Sequence, residues 1–147
     1  MKTGPERELV DRYVSRAAQS GRALGFSGCD VIEVPESRAS SADRRKREEA
    51  EAIRAKLPDG AVTIAFDERG RTLGSRLFAD RLARERDANR PALACLVGGA
   101  DGLDPSLTQD AVAFGKLVMP HQIVRILVAE QLYRATTILT GHPYHRD

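Results

Sequence analysis

The sequence predicts an α/β fold: a mostly parallel sheet with helices on both faces. Two observations carry this. Apolar runs of strand length alternate along the chain with segments of helical period. The strand-length runs, such as residues 61–66 (AVTIAF) and 92–97 (ALACLV), are apolar on both faces. Parallel strands buried between helices have that composition, because crossover helices cover both sides of the sheet.

The elements follow in order. Pro5 sits in the first turn of an opening helix, and Leu9, Val10, Tyr13, Val14 and Ala17 give it one apolar stripe. Gly21 and Gly25 end it. Residues 29–34 (CDVIEV) are β-rich and stop at Pro35, which predicts a strand. After a polar linker over residues 35–41, Ser41 or Asp43 caps a charged helix running to about Leu57. Pro58, Asp59 and Gly60 form a turn before the 61–66 strand. Residues 67–74 read as a loop. Leu73, Leu77, Phe78 and Leu82 mark a helix to about Ala88, and the 92–97 strand follows. A glycine turn over 98–102 (GGADG) leads to a helix opening at Asp104 and Pro105, and residues 116–119 read as the last strand. The longest helix, 120–139, carries Ile123, Val124, Ile126, Leu127, Val128, Leu132 and Tyr133 around most of its circumference. Such a helix is buried on more than one side, and in a small chain a second subunit supplies that side.

Composition bounds the function. The 147 residues make one domain with one core, 41% hydrophobic and 30% charged. No stretch approaches the roughly 18 apolar residues of a membrane span, and no charged-then-apolar leader opens the chain, so a cytoplasmic protein is expected. Cys29 and Cys95 read as reduced, buried thiols in strands, and no metal site is expected. A net charge of +2 does not by itself indicate a nucleic acid. Arginine supplies nearly all the positive charge, which suits phosphate and stacked bases. The densest cluster, Arg44 to Arg47, is answered at once by Glu48, Glu49 and Glu51 and reads as a solvated helix face.

Ligands of open α/β sheets bind beyond the carboxyl ends of the strands. The segments meeting that condition are residues 67–70, the glycine turn, and Pro120 with His121. Glycines let the backbone approach a ligand, and exposed backbone groups can read an adenine edge. The turn lacks the spacing of a dinucleotide fingerprint or a phosphate-binding loop. The tail is the other candidate: His142, Tyr144, His145 and Arg146 cluster directly after the long helix. Histidine moves protons near neutral pH, tyrosine stacks or hydrogen-bonds, and arginine holds phosphate, a combination suited to chemistry on RNA. His121, at a helix start, reads as a cap or core residue.

Three motifs, LVGGADGL (96–103), LVMPHQIVRILVAEQLYRA (117–135) and GHPYHRD (141–147), resemble the ribosomal large-subunit pseudouridine-N3 methyltransferase family of the SPOUT (α/β-knot) class. The resemblance extends over essentially the whole chain and is strongest in the last third. It implies methylation of N3 of a pseudouridine in 23S rRNA of the assembled ribosome, with S-adenosylmethionine as methyl donor. It also implies a homodimer and a C-terminal trefoil knot, which general topology rules would not suggest. Carried over, the donor pocket uses Phe66 or Asp67, then Gly99, then Gly115, Lys116, Leu117, Val118, Met119 and Pro120. Tyr144, His145 and Arg146 face the substrate, and Arg125 and Glu130 shape a dimer-interface site. Against this pattern the family's first strand is missing ahead of residues 1–5, which predicts a native start further upstream.

The implied chemistry is simple. The sulfonium methyl is electrophilic and the N3–H of the imide is weakly acidic, so the enzyme must align the two and help the proton leave. His145 is the expected base, with Arg146 on developing oxygen charge or phosphate. The rival reading is a knotted dimer that binds the ribosome without catalysing.

Overall fold

The computed structural model describes residues 3–146. The expectation about a missing first strand concerns Met1, Lys2 and what precedes them, and these residues, like Asp147 of the tail motif, lie outside the described residues. The chain forms two compact units: residues 1–31, 73–89 and 122–147 make the first, and residues 32–72 and 90–121 the second.

The first unit is helical. Helix α1 (Pro5–Gly21) opens with proline in its first turn, as its sequence indicates. A short 3-10 turn follows, and Gly25 closes it with φ of 92°. Helix α3 (Ser75–Asp87) turns Phe78, Ala79 and Leu82 into the core. Helix α4 (His121–Thr140) brings Val128, Ala129 and Ala135 inward. The helices meet through specific contacts. Ser75 donates to the Gln131 amide oxygen at 2.8 Å, and Tyr13 packs on Tyr133 with ring centroids 6.3 Å apart. Arg86 donates to the Leu24 carbonyl at 3.1 Å. Thr136 and Thr137 are buried but return their hydroxyls to helix carbonyls one turn back.

The second unit holds the sheet, a three-stranded parallel array ordered β2-β1-β3. Central β1 (Val62–Thr72) pairs with β2 (Leu93–Val97) from Val62↔Leu93 to Phe66↔Val97. It pairs with β3 (Ala111–Ala113) on its other side. Ile64, Ala65, Phe66, Leu96, Leu103, Val112 and Ala113 are buried here. Helix α2 (Ala42–Lys56) contributes Ile53 to this core, and its N-cap is Ser41, whose hydroxyl accepts from the Arg44 N–H at 3.2 Å.

Four expectations are corrected. Residues 29–34 form no strand, and Val31 and Ile32 stand 50% and 60% exposed. β composition makes a strand only where a ladder partner exists, and among the described residues none pairs with this stretch. Cys29 is therefore outside a strand and only half-buried, although burial still pushes its thiol upward. The 116–119 run is also irregular, and the last strand is the shorter β3 just before it. Pro120 supplies no N–H to a ladder there. The expected 67–74 loop is mostly strand: Phe66 and Arg71 both pair with Val112, so residues 67–70 bulge out of a continuous β1. Gly70 permits this, since a Cβ there would lie 2.6 Å from backbone atoms of Ala111 and Val112. The helix expected after Asp104 is a single 3-10 turn, Pro105–Leu107.

Candidate active site

Because the strands are parallel, their carboxyl ends share one edge of the sheet. Phe66 is buried in that row, beside Val97 and Val112, and stacks on Phe114 at 5.3 Å. Asp67 follows it. Its carboxylate accepts from the Arg69 backbone N–H at 2.9 Å and pairs with the Arg69 guanidinium at 3.2 Å. These hydrogen bonds, the side-chain one foremost, hold Asp67 below the usual carboxylate range, so it is charged near neutrality.

After β2 comes the glycine turn. Gly99 and Gly102 bridge one another, with the Gly102 N–H donating to the Gly99 carbonyl at 3.1 Å. The turn is tight: a Cβ on Gly98 would meet the Gly102 carbonyl carbon at 2.8 Å. The Glu36 carboxylate lies beside Gly99, 3.2 Å from where a Cβ would stand. Arg45 clamps the turn from α2. Its guanidinium makes a two-pronged bond to Asp101 at 2.7 and 3.1 Å and donates to the Ala39 carbonyl at 3.0 Å.

After β3 the chain passes Gly115, with φ of 121°, into an open segment. Lys116 is exposed, Leu117 and Val118 are 82% and 81% exposed, Met119 is half-buried, and Pro120 is exposed. Two adjacent apolar side chains so open to water beyond the carboxyl ends of the strands are a candidate binding surface. The structure thus brings Phe66, Asp67, Gly99 and Gly115 to Pro120 into one unit, on segments leaving one sheet edge.

The tail belongs to the helical unit. Gly141, with φ of 75°, ends α4; the His142 N–H reaches the Thr137 carbonyl at 2.9 Å and the Gly141 N–H the Ile138 carbonyl at 3.3 Å. That paired pattern turns the chain back along its own helix. Tyr144 then donates its hydroxyl to Glu130 at 3.1 Å, and its ring lies 4.7 Å from that of Tyr133. Arg134 bridges the group: it pairs with Glu130 at 2.7 Å, its guanidinium sits 4.8 Å from the Tyr144 ring centre, and it contacts His145 Nδ1 at 3.1 Å. Burial, and then the Glu130 charge, push the Tyr144 phenol up to about 12. His142 and Arg146 are exposed.

The comparisons with known proteins agree with this picture. The family model described as "Predicted SPOUT methyltransferase" matches residues 1–145. The chain belongs to that SPOUT methyltransferase family. It is 56% identical to the "Ribosomal RNA large subunit methyltransferase H" of Methylobacterium radiotolerans, over 99% of this chain and 92% of that protein. The proteins of the same name in Nitrobacter hamburgensis and Brucella anthropi are 56% and 54% identical, over 99% and 100% of this chain and 93% and 94% of theirs.

Membership in a methyltransferase family implies a methyl donor, and the sheet unit offers groups of the kinds that could hold one. Backbone polar groups at the glycine turn suit an adenine edge, Leu117 and Val118 suit an apolar ring face, and the Asp67 and Glu36 carboxylates suit a cationic ligand with hydroxyls. Sequence reasoning missed Arg134, Arg45 and Glu36. The four-residue spacing of Glu130 and Arg134 on a helix was a readable signal. Nothing in the sequence announced the pairing of Arg45 with Asp101 or the placing of Glu36 beside Gly99, since both depend on loops meeting in space. Among the described residues no His, Cys, Asp or Glu cluster could hold a metal ion, and no helix is long and apolar enough to cross a membrane.

Proposed function

We propose that this SPOUT methyltransferase transfers a methyl group from S-adenosylmethionine to N3 of a pseudouridine in 23S rRNA of the assembled ribosome, in the cytoplasm. The observation that carries the reading is the 56% identity to a ribosomal RNA methyltransferase over 99% of the chain, supported by Phe66, Gly99 and the exposed Leu117 and Val118 on segments that follow the strands of one sheet. When bound, the donor supplies a methyl carbon activated by a sulfonium.

The chain's own residues have separate tasks. Gly99 and the run Gly115, Lys116, Leu117, Val118, Met119 and Pro120 would hold the adenosyl group, with Phe66 at the end of the central strand as a further apolar contact. Asp67, its carboxylate held charged by Arg69, would offer its remaining lone pairs to hydroxyl or ammonium groups of the donor. Tyr144, His145 and Arg146 supply the substrate side, with the exposed Arg146 on phosphate or on the carbonyl oxygens of the base.

The working form is a homodimer with a C-terminal knot. The apolar girdle of α4 supports the dimer, because Ile123 stays 40% exposed and Ile126, Leu127 and Leu132 only half-buried in one chain. Analytical ultracentrifugation of the purified protein tests it; a monomer at micromolar concentration would remove the dimer from the reading.

The deciding experiment is transfer of labelled methyl to ribosomes lacking the modification, with the methylated nucleotide then mapped. Label on N3 of a large-subunit pseudouridine is expected. Donor binding without transfer would leave a knotted RNA-binding dimer, and absence of donor binding would end both readings.

A further inference from the structure

The chemistry open to His145 is decided by its neighbour on α4. Arg134 contacts His145 Nδ1 at 3.1 Å. A guanidinium has five N–H donors and no acceptor, so in this contact Nδ1 must be the acceptor. A neutral imidazole that accepts at Nδ1 carries its proton on Nε2. Protonating Nδ1 would set an N–H against an N–H and a cation against a cation. Arg134 cannot easily turn away. Glu130 holds it at 2.9 Å through Nε and 2.7 Å through a terminal nitrogen, and the Tyr144 ring covers it. Tyr144 in turn is tied to the same Glu130 oxygen.

We propose that Arg134 is a positioning residue that holds His145 as the Nε2–H tautomer, so that His145 meets the uracil-like base as a hydrogen-bond donor and not as a proton acceptor. This rests on the proposed rRNA reading and changes the role expected of His145 from sequence. The N3 of the base lies between two carbonyl groups. As N3 gives up its proton to water, negative charge spreads onto those oxygens. The N3 lone pair then forms the bond to the methyl carbon while the carbon–sulfur pair leaves with sulfur, which becomes a neutral thioether. An N–H aimed at one carbonyl oxygen stabilises the charge where it develops, and being fixed in advance it needs no reorganisation. Glu130, Arg134 and Tyr144 thus make a scaffold for one donor.

The test has two readouts. Long-range nitrogen–proton NMR on histidine-labelled, unliganded protein reports the tautomer directly, with His145 assigned by the signal lost in His145→Ala. Nδ1 is expected to appear as an unprotonated acceptor and to shift in Arg134→Met. A proton on Nδ1 in the wild-type protein overturns the proposal without any variant. This spectrum is read without RNA, so it judges the Arg134–His145 arrangement separately from the choice of substrate. The second readout is methyl transfer to unmodified ribosomes. Glutamine donates from its amide but cannot serve as a base, so His145→Gln is expected within about 10-fold of wild-type kcat, while His145→Ala loses about 100-fold. Equal loss in both variants, with the fold intact by circular dichroism, would restore the base role and overturn the donor. Arg134→Met is expected to lower kcat with little change in KM for ribosomes, and the reverse split would count against a positioning role.

Discussion

The tail cluster and the strand-end loops are both candidate parts of one enzyme, yet they are held by different means. In the tail, Glu130, Arg134, Tyr144 and His145 hold one another through side-chain bonds of 2.7 to 3.1 Å. Around the glycine turn a backbone bridge and the Arg45 fork on Asp101 do the shaping, and on another segment of the same unit Leu117 and Val118 face water. The first is organised before any ligand arrives. The second is left for a ligand to complete, since burying exposed Leu and Val is favourable only when something covers them. The difference separates groups that must be aimed at a reacting atom from groups that must accept a large, partly apolar molecule.

The contrast can be broken hardest at the backbone. Gly98→Ala places a Cβ 2.8 Å from the Gly102 carbonyl carbon, so the turn must open. A stability loss of about 3 kcal/mol by denaturant titration is expected, with donor binding largely lost by calorimetry. An unchanged midpoint would mean that the turn is more compliant than its geometry suggests.

Removing the hub of the tail comes next. Glu130→Gln keeps the shape but weakens the acceptor shared by Arg134 and Tyr144, and should cost about 1–2 kcal/mol. It should also move Tyr144 back toward ordinary behaviour. In the native protein this phenol, raised from 10 to about 12, is the form that donates to Glu130. Its stabilisation is therefore complete below pH 10 and is lost as pH rises toward 12. Near-ultraviolet absorbance should show one tyrosine ionising late, and Tyr144→Phe should delete that step. A wild-type titration in which all tyrosines ionise together would contradict the cluster.

Arg45→Lys should leave the denaturation midpoint nearly unchanged, because the Asp101 pair is partly exposed and lysine keeps one bond while losing the fork. A severalfold weaker donor affinity at nearly unchanged stability would show that the clamp serves the turn rather than the fold. Smallest in stability, within about 0.5 kcal/mol, is the pair Leu117→Ser with Val118→Ser. If donor affinity fell as well, these side chains wait for the ligand. If it did not, the donor site lies elsewhere along the sheet edge.

Legibility in the sequence followed the range of the interactions. Helix α2 and its Ser41 cap, α3, α4 and β2 emerge near their expected bounds, because caps, turns and the period of apolar residues act within a few positions. The 29–34 and 116–119 runs mislead for one reason: each has strand composition and, among the described residues, no partner to pair with. β1 runs longer than expected because Val112 pairs with it on both sides of the bulge at residues 67–70. The candidate site divides in the same way. Glycines, tail histidines and the exposed apolar run were readable as residue types. Asp67 held charged by Arg69 and the Arg134 contact with His145 Nδ1 were not.

The amino-acid sequence alone determined the α/β class, the order of most elements and, through its three motifs, membership in a methyltransferase family, since these depend on local periodicity and residue identity. The tertiary structure decided which β-rich runs become strands, and which side chain meets His145 Nδ1. Those outcomes depend on partners distant in sequence or brought near only by a turn: a ladder neighbour for a strand, and a guanidinium, aimed by Glu130 and Tyr144, for the imidazole.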